Sequence, residues 1–245
     1  KVALWSGSLP QWGESYFGIV NRGFVAVPLL PDFSAAEVET ILQHAQVKGI
    51  IVAPKLYAKI QQLPENLLPF VINIEDGELL RGTLSDDFNP NSALADVKVE
   101  ENQLASIIYT SGTTGYPKGV LITHKNILSQ LPSFELGFMS KAGEKTLQIL
   151  PVWHAYEHMA QIYYLISGCH MHFSTLSGLK DDLVKNDIDT LMSVPRIWEA
   201  IRLGIFQNLK KRSIFVYKFF DFAVKLSIFY KIHKMYSERR ITNKK

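Results

Sequence analysis

The run from Tyr109 to Gly119 reads YTSGTTGYPKG. Glycines at 112, 115 and 119 alternate with the hydroxyls of Thr110, Ser111, Thr113 and Thr114, and Lys118 stands near the end. Such a stretch adds little to a hydrophobic core but suits a phosphate. Glycine lets backbone N–H groups approach an anion closely, and hydroxyls add donors. Lysine meets phosphate as a point charge. A plain surface turn would not need glycines, hydroxyls and a lysine at this density.

The flanking residues say how the loop is held. Leu104 to Tyr109 is apolar and reads as a buried strand, and Val120 to Ile122 as a second short one. Thr123 is placed as the N-cap of a helix reaching about Leu131. The loop therefore joins strand to strand. A Walker A loop joins strand to helix and ends Gly-Lys-Ser/Thr, whereas Lys118 lies between Pro117 and Gly119.

The segment IIYTSGTTGYPKGVLITHKNIL resembles the phosphate-loop signature of the adenylate-forming synthetases: acyl-CoA ligases, luciferases and peptide-synthetase adenylation domains. The resemblance implies ATP binding and attack of a substrate carboxylate on the α-phosphate. It further implies an acyl-AMP, release of pyrophosphate and transfer of the acyl group to a thiol. Carried onto this sequence, Thr110, Ser111, Gly112, Thr113, Thr114, Gly115, Lys118 and Gly119 would cradle the β- and γ-phosphates, with Thr113 or Thr114 touching Mg²⁺.

A second constellation, PVWHAYEH at 151–158, follows an expected strand. Ligands in α/β sheets bind beyond the carboxyl ends of strands, so a loop there is well placed. It is similar to the family's second signature, which would put His154 where the acyl carboxylate meets the adenylate. Orienting or polarising the carboxylate, or gating the acyl tunnel, is the role implied; general-base chemistry is not required, since that group is already ionised at neutral pH. His154, Glu157 and His158 also spell H-x-x-E-H, a zinc-protease pattern. Five residues match by chance often, and the phosphate loop has no place in such an enzyme. His158 reads as an ordinary residue of the following helix. His170 and His172 alternate onto one side of a strand, with no carboxylate or cysteine partner evident. SVPRIWEA at 193–200 is similar to the long-chain fatty acyl branch of the family. Its residues read mainly as fold-holding, and their value is diagnostic.

The remaining elements alternate. Val2–Trp5, Gly23–Leu29 and Gly49–Ala53 read as strands, and 11–21 and the stretch after Ser34 as helices; Ser34 with Glu37 forms an S-x-x-E capping box. Residues 75–103 read as a connecting loop. Further on come strands at 146–150, 169–173 and 190–194, helices at 156–166 and 179–185, and broken helical periodicity from Ile197 to about Met235. This is an α/β chain of stacked sheets with flanking helices. By resemblance it is part of the large N-terminal domain of an acyl-adenylate-forming enzyme. Its expected parts are a first α/β subdomain at 1–95, a second at 96–203 carrying the phosphate loop, and a helical insertion at 204–245.

At 245 residues and 47% apolar, the chain can bury a core. One cysteine, Cys169, excludes an internal disulfide and fits a reducing, cytoplasmic setting. From Gly204 to Lys245, eleven Lys/Arg face two Asp/Glu, a net of +9; the rest, fifteen against twenty-one, carries −6. In this basic tail Phe215, Phe219, Phe222, Val224 and Phe229 are expected to crowd one side of a helix or helix pair. A peripheral membrane contact through 204–245 would suit a lipid substrate, but contact with a further part of the enzyme is preferred. No nucleic-acid module is recognisable. The expected partners are ATP, a long-chain fatty acid, and CoA or acyl carrier protein as acceptor. The family's later motifs, YG-x-TE and the ribose-binding S/T-G-D, do not occur here. The chain thus reads as a fragment expected to lack ligase activity by itself, and a non-catalytic acyl- or nucleotide-binding module is the alternative.

Overall fold

The computed structural model describes residues 1–83, 97–110 and 117–242, with the side chains of 136, 138, 232, 233 and 235–242 left aside. Two compact units result, 1–192 and 193–245. The expected boundary near 95 lies outside the described residues.

The first unit is built on a seven-stranded sheet. Its strands are β1 (Val2–Trp5), β2 (Ala26–Pro28), β3 (Gly49–Val52), β4 (Phe70–Asn73), β5 (Leu79–Arg81), β6 (Leu104–Thr110) and β7 (Lys118–Thr123), in the order β5-β4-β3-β1-β2-β6-β7. Strands β4, β3, β1, β2 and β6 run parallel, and β5 and β7 close the edges antiparallel. Helix α1 (Pro10–Val20) carries the chain from β1 to β2, and α2 (Ala35–Ala45) carries it back to β3. The order reverses at β1, so the two crossovers cover opposite faces.

Strand alternation sorts the core accordingly. Ala3, Trp5, Val27, Ile50, Val52, Val71, Ile107 and Tyr109 pack with Val38, Ile41, Leu42 and Ala45 of α2. Leu4, Ala26 and Ala105 pack on the other side with Trp12, Tyr16, Ile19 and Val20 of α1. Small strand residues there leave room for the stacked Trp12 and Tyr16 rings, 5.5 Å apart. Helix α2 starts as expected, since the Ser34 hydroxyl accepts from Glu37 N–H and the Glu37 carboxylate accepts from Ser34 N–H. After the short helix α3 (Pro54–Tyr57), β4 follows, and β5 falls inside the stretch read as a loop. β5 is a three-residue edge strand, too short to show a period.

Beyond β7 the helix expected from Thr123 to about Leu131 is the shorter α4 (His124–Leu128), and a further helix, α5 (Leu131–Phe138), follows it. Thr123 does cap α4, and Pro132 opens the second helix. A second, parallel sheet pairs β8 (Lys145–Gln148) with β9 (His170–Phe173). The expected strand at 190–194 is reduced to one bridge, Thr190 to Thr146, and Pro195 begins a helix directly after it. Between β8 and β9, α6 (Ala155–Ile166) is buried at every position from Glu157 to Tyr164. α7 (Leu179–Lys185) follows β9.

The second unit consists of α8 (Pro195–Arg212) and α9 (Ile214–Thr242), separated by the extended Ser213. Phe206 meets Tyr217 and Phe220 edge-on. Phe215, Phe219 and Phe222 are exposed, as is Leu226. Val224 is not on their side: at 100° per residue it lies about 200° from Phe222, and it is half-buried.

Candidate phosphate and acyl site

β6 and β7 form an antiparallel hairpin, so the loop joins strand to strand as its flanks required. Ser111, Gly112, Thr113, Thr114 and Gly115 lie outside the described residues. The structure does describe the stem. Thr110 and Lys118 are opposite one another in register, with the Thr110 hydroxyl 3.5 Å from the Lys118 carbonyl oxygen. Both side chains are exposed. Tyr109 and Gly119 form the next pair. A Cβ on Gly119 would stand 2.8 Å from Ile107 Cγ2 and 3.3 Å from Tyr109 Cζ. Close packing, in addition to any approach to phosphate, therefore demands glycine at that position.

Ser106, Ile108 and Thr110 share the face opposite Tyr109. A cavity of about 240 Å³ opens on that face, lined by Tyr16, Ser106, Ile108, Ile122, Ala155 and His158 among others. It links the hairpin to the first turn of α6. His154 immediately precedes that turn as its N-cap, with extended backbone and no capping bond from the imidazole. It is exposed. The loop bearing His154 is fastened by Ser8, after β1: the Ser8 hydroxyl donates to Leu150 O at 3.1 Å and accepts from Val152 N–H at 3.2 Å. Sequence reasoning passed over Ser8, because a lone serine in a strand-to-helix turn carries no motif.

The zinc pattern fails on geometry. His154 is outside the helix and exposed, whereas His158 is buried edge-on against Tyr16 and Trp12, with centroids 4.1 and 5.3 Å away. Among the described residues, no group of three or more His, Cys, Asp or Glu is placed to hold a metal ion. Burial pushes His158 down to about 4 and Glu157 up to about 8, which holds both neutral at pH 7. Glu157 Oε1, both His158 ring nitrogens, Gln161 Nε2 and the Tyr164 hydroxyl are buried with no hydrogen-bond partner among the described residues. The Tyr16 hydroxyl lies 2.6 Å from Ser106 Oγ, and burial raises its pKa to about 12.

No described helix is long and apolar enough to cross a membrane. The expected metal contacts, Thr113 and Thr114, are not described, so the stem alone gives a basic side chain and a hydroxyl beside an apolar cavity.

Known proteins resemble this arrangement. A probable acyl-activating enzyme 16 from Arabidopsis thaliana chloroplasts is 37% identical over 238 residues, covering 87% of this chain and 33% of its own length. A chloroplastic long-chain fatty acid–acyl-carrier-protein ligase of the same plant is 29% identical over 241 residues, with the same coverage. The chain spans about a third of the length of these curated relatives. A Mycobacterium tuberculosis fatty acyl CoA synthetase superposes with a TM-score of 0.66 at 21% identity, over 82% of this chain and 40% of that one, which shows a shared fold. The family model of the AMP-binding enzymes matches residues 1–228. That match covers most of the sequence, and the chain belongs to the AMP-binding enzyme family.

Proposed function

We propose that this chain is the phosphate-loop portion of a ligase that activates a long-chain fatty acid with ATP and passes the acyl group to CoA. The observation that supports this is the β6–β7 stem, where Thr110 and Lys118 stand paired at the loop's base, on the sheet face where Ser106 and Ile108 line a cavity with Ala155 and His158 of α6. Lys118 supplies positive charge to the β- and γ-phosphates and to the departing pyrophosphate. Ser111, Gly112, Thr113, Thr114, Gly115 and Gly119 contribute backbone and hydroxyl donors around the same phosphates. His154 orients the fatty carboxylate at the α-phosphate. Mg²⁺, held with ATP through Thr113 or Thr114, would neutralise phosphate charge.

Acyl carrier protein is the second reading for the acceptor, favoured by the relative that carries that activity in its name. The tail adds a finer proposal. Phe215, Phe219, Phe222 and Leu226 recur every three or four residues on the exposed side of α9, with Lys218 and Lys225 beside them, a pattern that suits an anionic membrane surface. Cosedimentation with phosphatidylglycerol vesicles checks it.

The deciding experiment is ATP–pyrophosphate exchange by a polypeptide carrying this chain at the length of its relatives, scanned over carboxylates from acetate to long fatty acids. Exchange that rises with chain length supports the reading. ATP binding without exchange for any acid would replace it with a binding module.

A further inference from the structure

The stem of the hairpin is held from its far side. Tyr109 is 3% exposed and its ring lies across Gly119, its register partner. An aromatic side chain opposite a strand glycine covers backbone that glycine leaves bare. The Tyr109 hydroxyl emerges at the end of α2, where His44 Nδ1 lies 2.6 Å from it and the rings meet at 85°. His44 belongs to the last turn of α2, and its neighbours Leu42 and Ala45 are buried in the core. The helix therefore fixes where Nδ1 stands, and Nδ1 fixes the phenol.

Successive strand residues point to opposite faces, so Tyr109 and Gly119 on the α2 face fix Thr110 and Lys118 on the other. A slip of one residue would turn Lys118 toward α2 and away from α6. We infer that His44, Tyr109 and Gly119 form a clamp on the hairpin stem, and that His44 is a positioning residue for nucleotide binding, acting through Tyr109 on the placement of Thr110 and Lys118. This rests on the nucleotide reading of the hairpin proposed above. It gives α2, which touches no proposed substrate group, a role in the site.

The test uses the same relative-length polypeptide and four variants: His44→Ala, His44→Asn, Tyr109→Phe and the double His44→Ala/Tyr109→Phe. KM for ATP, KM for fatty acid and kcat of exchange are measured, with the melting temperature alongside. A single hydrogen bond of ordinary strength corresponds to about a 2- to 10-fold effect. His44→Ala and Tyr109→Phe should each raise KM for ATP by about that factor, leaving KM for fatty acid and melting (within about 2 °C) as in the wild type. The double variant should be no worse than either single one, because both break the same bond. His44→Asn should recover the wild-type value, since its amide oxygen can stand where Nδ1 does.

Unchanged KM for ATP in both single variants, with wild-type exchange intact, overturns the clamp. Losses that add in the double variant, or that Asn does not restore, reduce His44 to a structural residue and overturn it too. Failure of the wild type to bind ATP or to exchange defeats the nucleotide reading, and the clamp's role with it. The wild-type arm thus tests the function, and the variant arms test the inference.

Discussion

The two faces of the main sheet are built from the same strands and differ in content. The α2 face is dry: Trp5, Val38, Ile41, Leu42, Ile50, Val52 and Val71 fill it, and Tyr109 is its polar visitor, bonded at the rim to His44. The α1–α6 face buries Tyr16, Ser106, Glu157, His158 and Gln161, borders the open 240 Å³ cavity, and carries Thr110 and Lys118 at its edge. A packed apolar layer resists deformation, whereas a layer of buried polar groups needs partners and leaves room. One face anchors the hairpin, and the other carries its exposed Thr110 and Lys118.

Breaking the dry face should have the largest effect on stability. Leu42→Ala removes a fully buried side chain and should cost about 2–5 kcal/mol, read by urea denaturation. A loss below about 1 kcal/mol would mean that this face is looser than its packing implies. Lys118→Ala should do the opposite, leaving melting unchanged and slowing exchange by about 100-fold. It should affect adenylation more than fatty-acid binding; equal loss in both would count against Lys118 as a phosphate contact.

The polar face should also show in pH dependence. Glu157 is raised from 4.5 to about 8, so its folded form keeps a proton that the unfolded chain releases. Its contribution to stability is whole below 4.5 and is lost as pH climbs to about 8. His158 is lowered from 6.5 to about 4, so its contribution is present above 6.5 and lost as pH falls toward 4. The two slopes oppose one another between 4.5 and 6.5, leaving a net loss from 6.5 to 8. Glu157→Gln should abolish that upper loss, checked by denaturation midpoints at pH 6.5, 7.5 and 8.5. The smallest effect belongs to Ser34→Ala, which removes the α2 cap and should lower stability by about 1 kcal/mol without a change in KM for ATP.

Legibility followed the reach of each signal. The loop's glycines, hydroxyls and lysine sit together in sequence, and so do the Ser34 and Thr123 caps, so both were readable directly. The helix from Thr123 was read to about Leu131 and ends at Leu128, while Pro132, in the first turn of the next helix, is the local signal of that second start. The strand at 190–194 pairs only through Thr190, because pairing depends on a neighbouring strand that residue type does not reveal. Val224 was placed with the phenylalanines by composition, while helix geometry puts it on the other side. Ser8 and His44 had no local signal at all, since each acts on a segment far along the chain.

The sequence by itself determined the chemistry available to this protein: a glycine- and hydroxyl-rich loop with a lysine between two strands, a proline-bearing strand end with a histidine, and a basic aromatic tail. These are short-range patterns, set by residue type and spacing. Only the tertiary structure decided that His158 and Glu157 are buried and neutral, that Ser8 holds the His154 loop 142 residues away, and that Tyr109 is pinned to α2. Burial and long-range hydrogen bonds depend on which elements become neighbours, and that is fixed by sheet order, which no local pattern encodes.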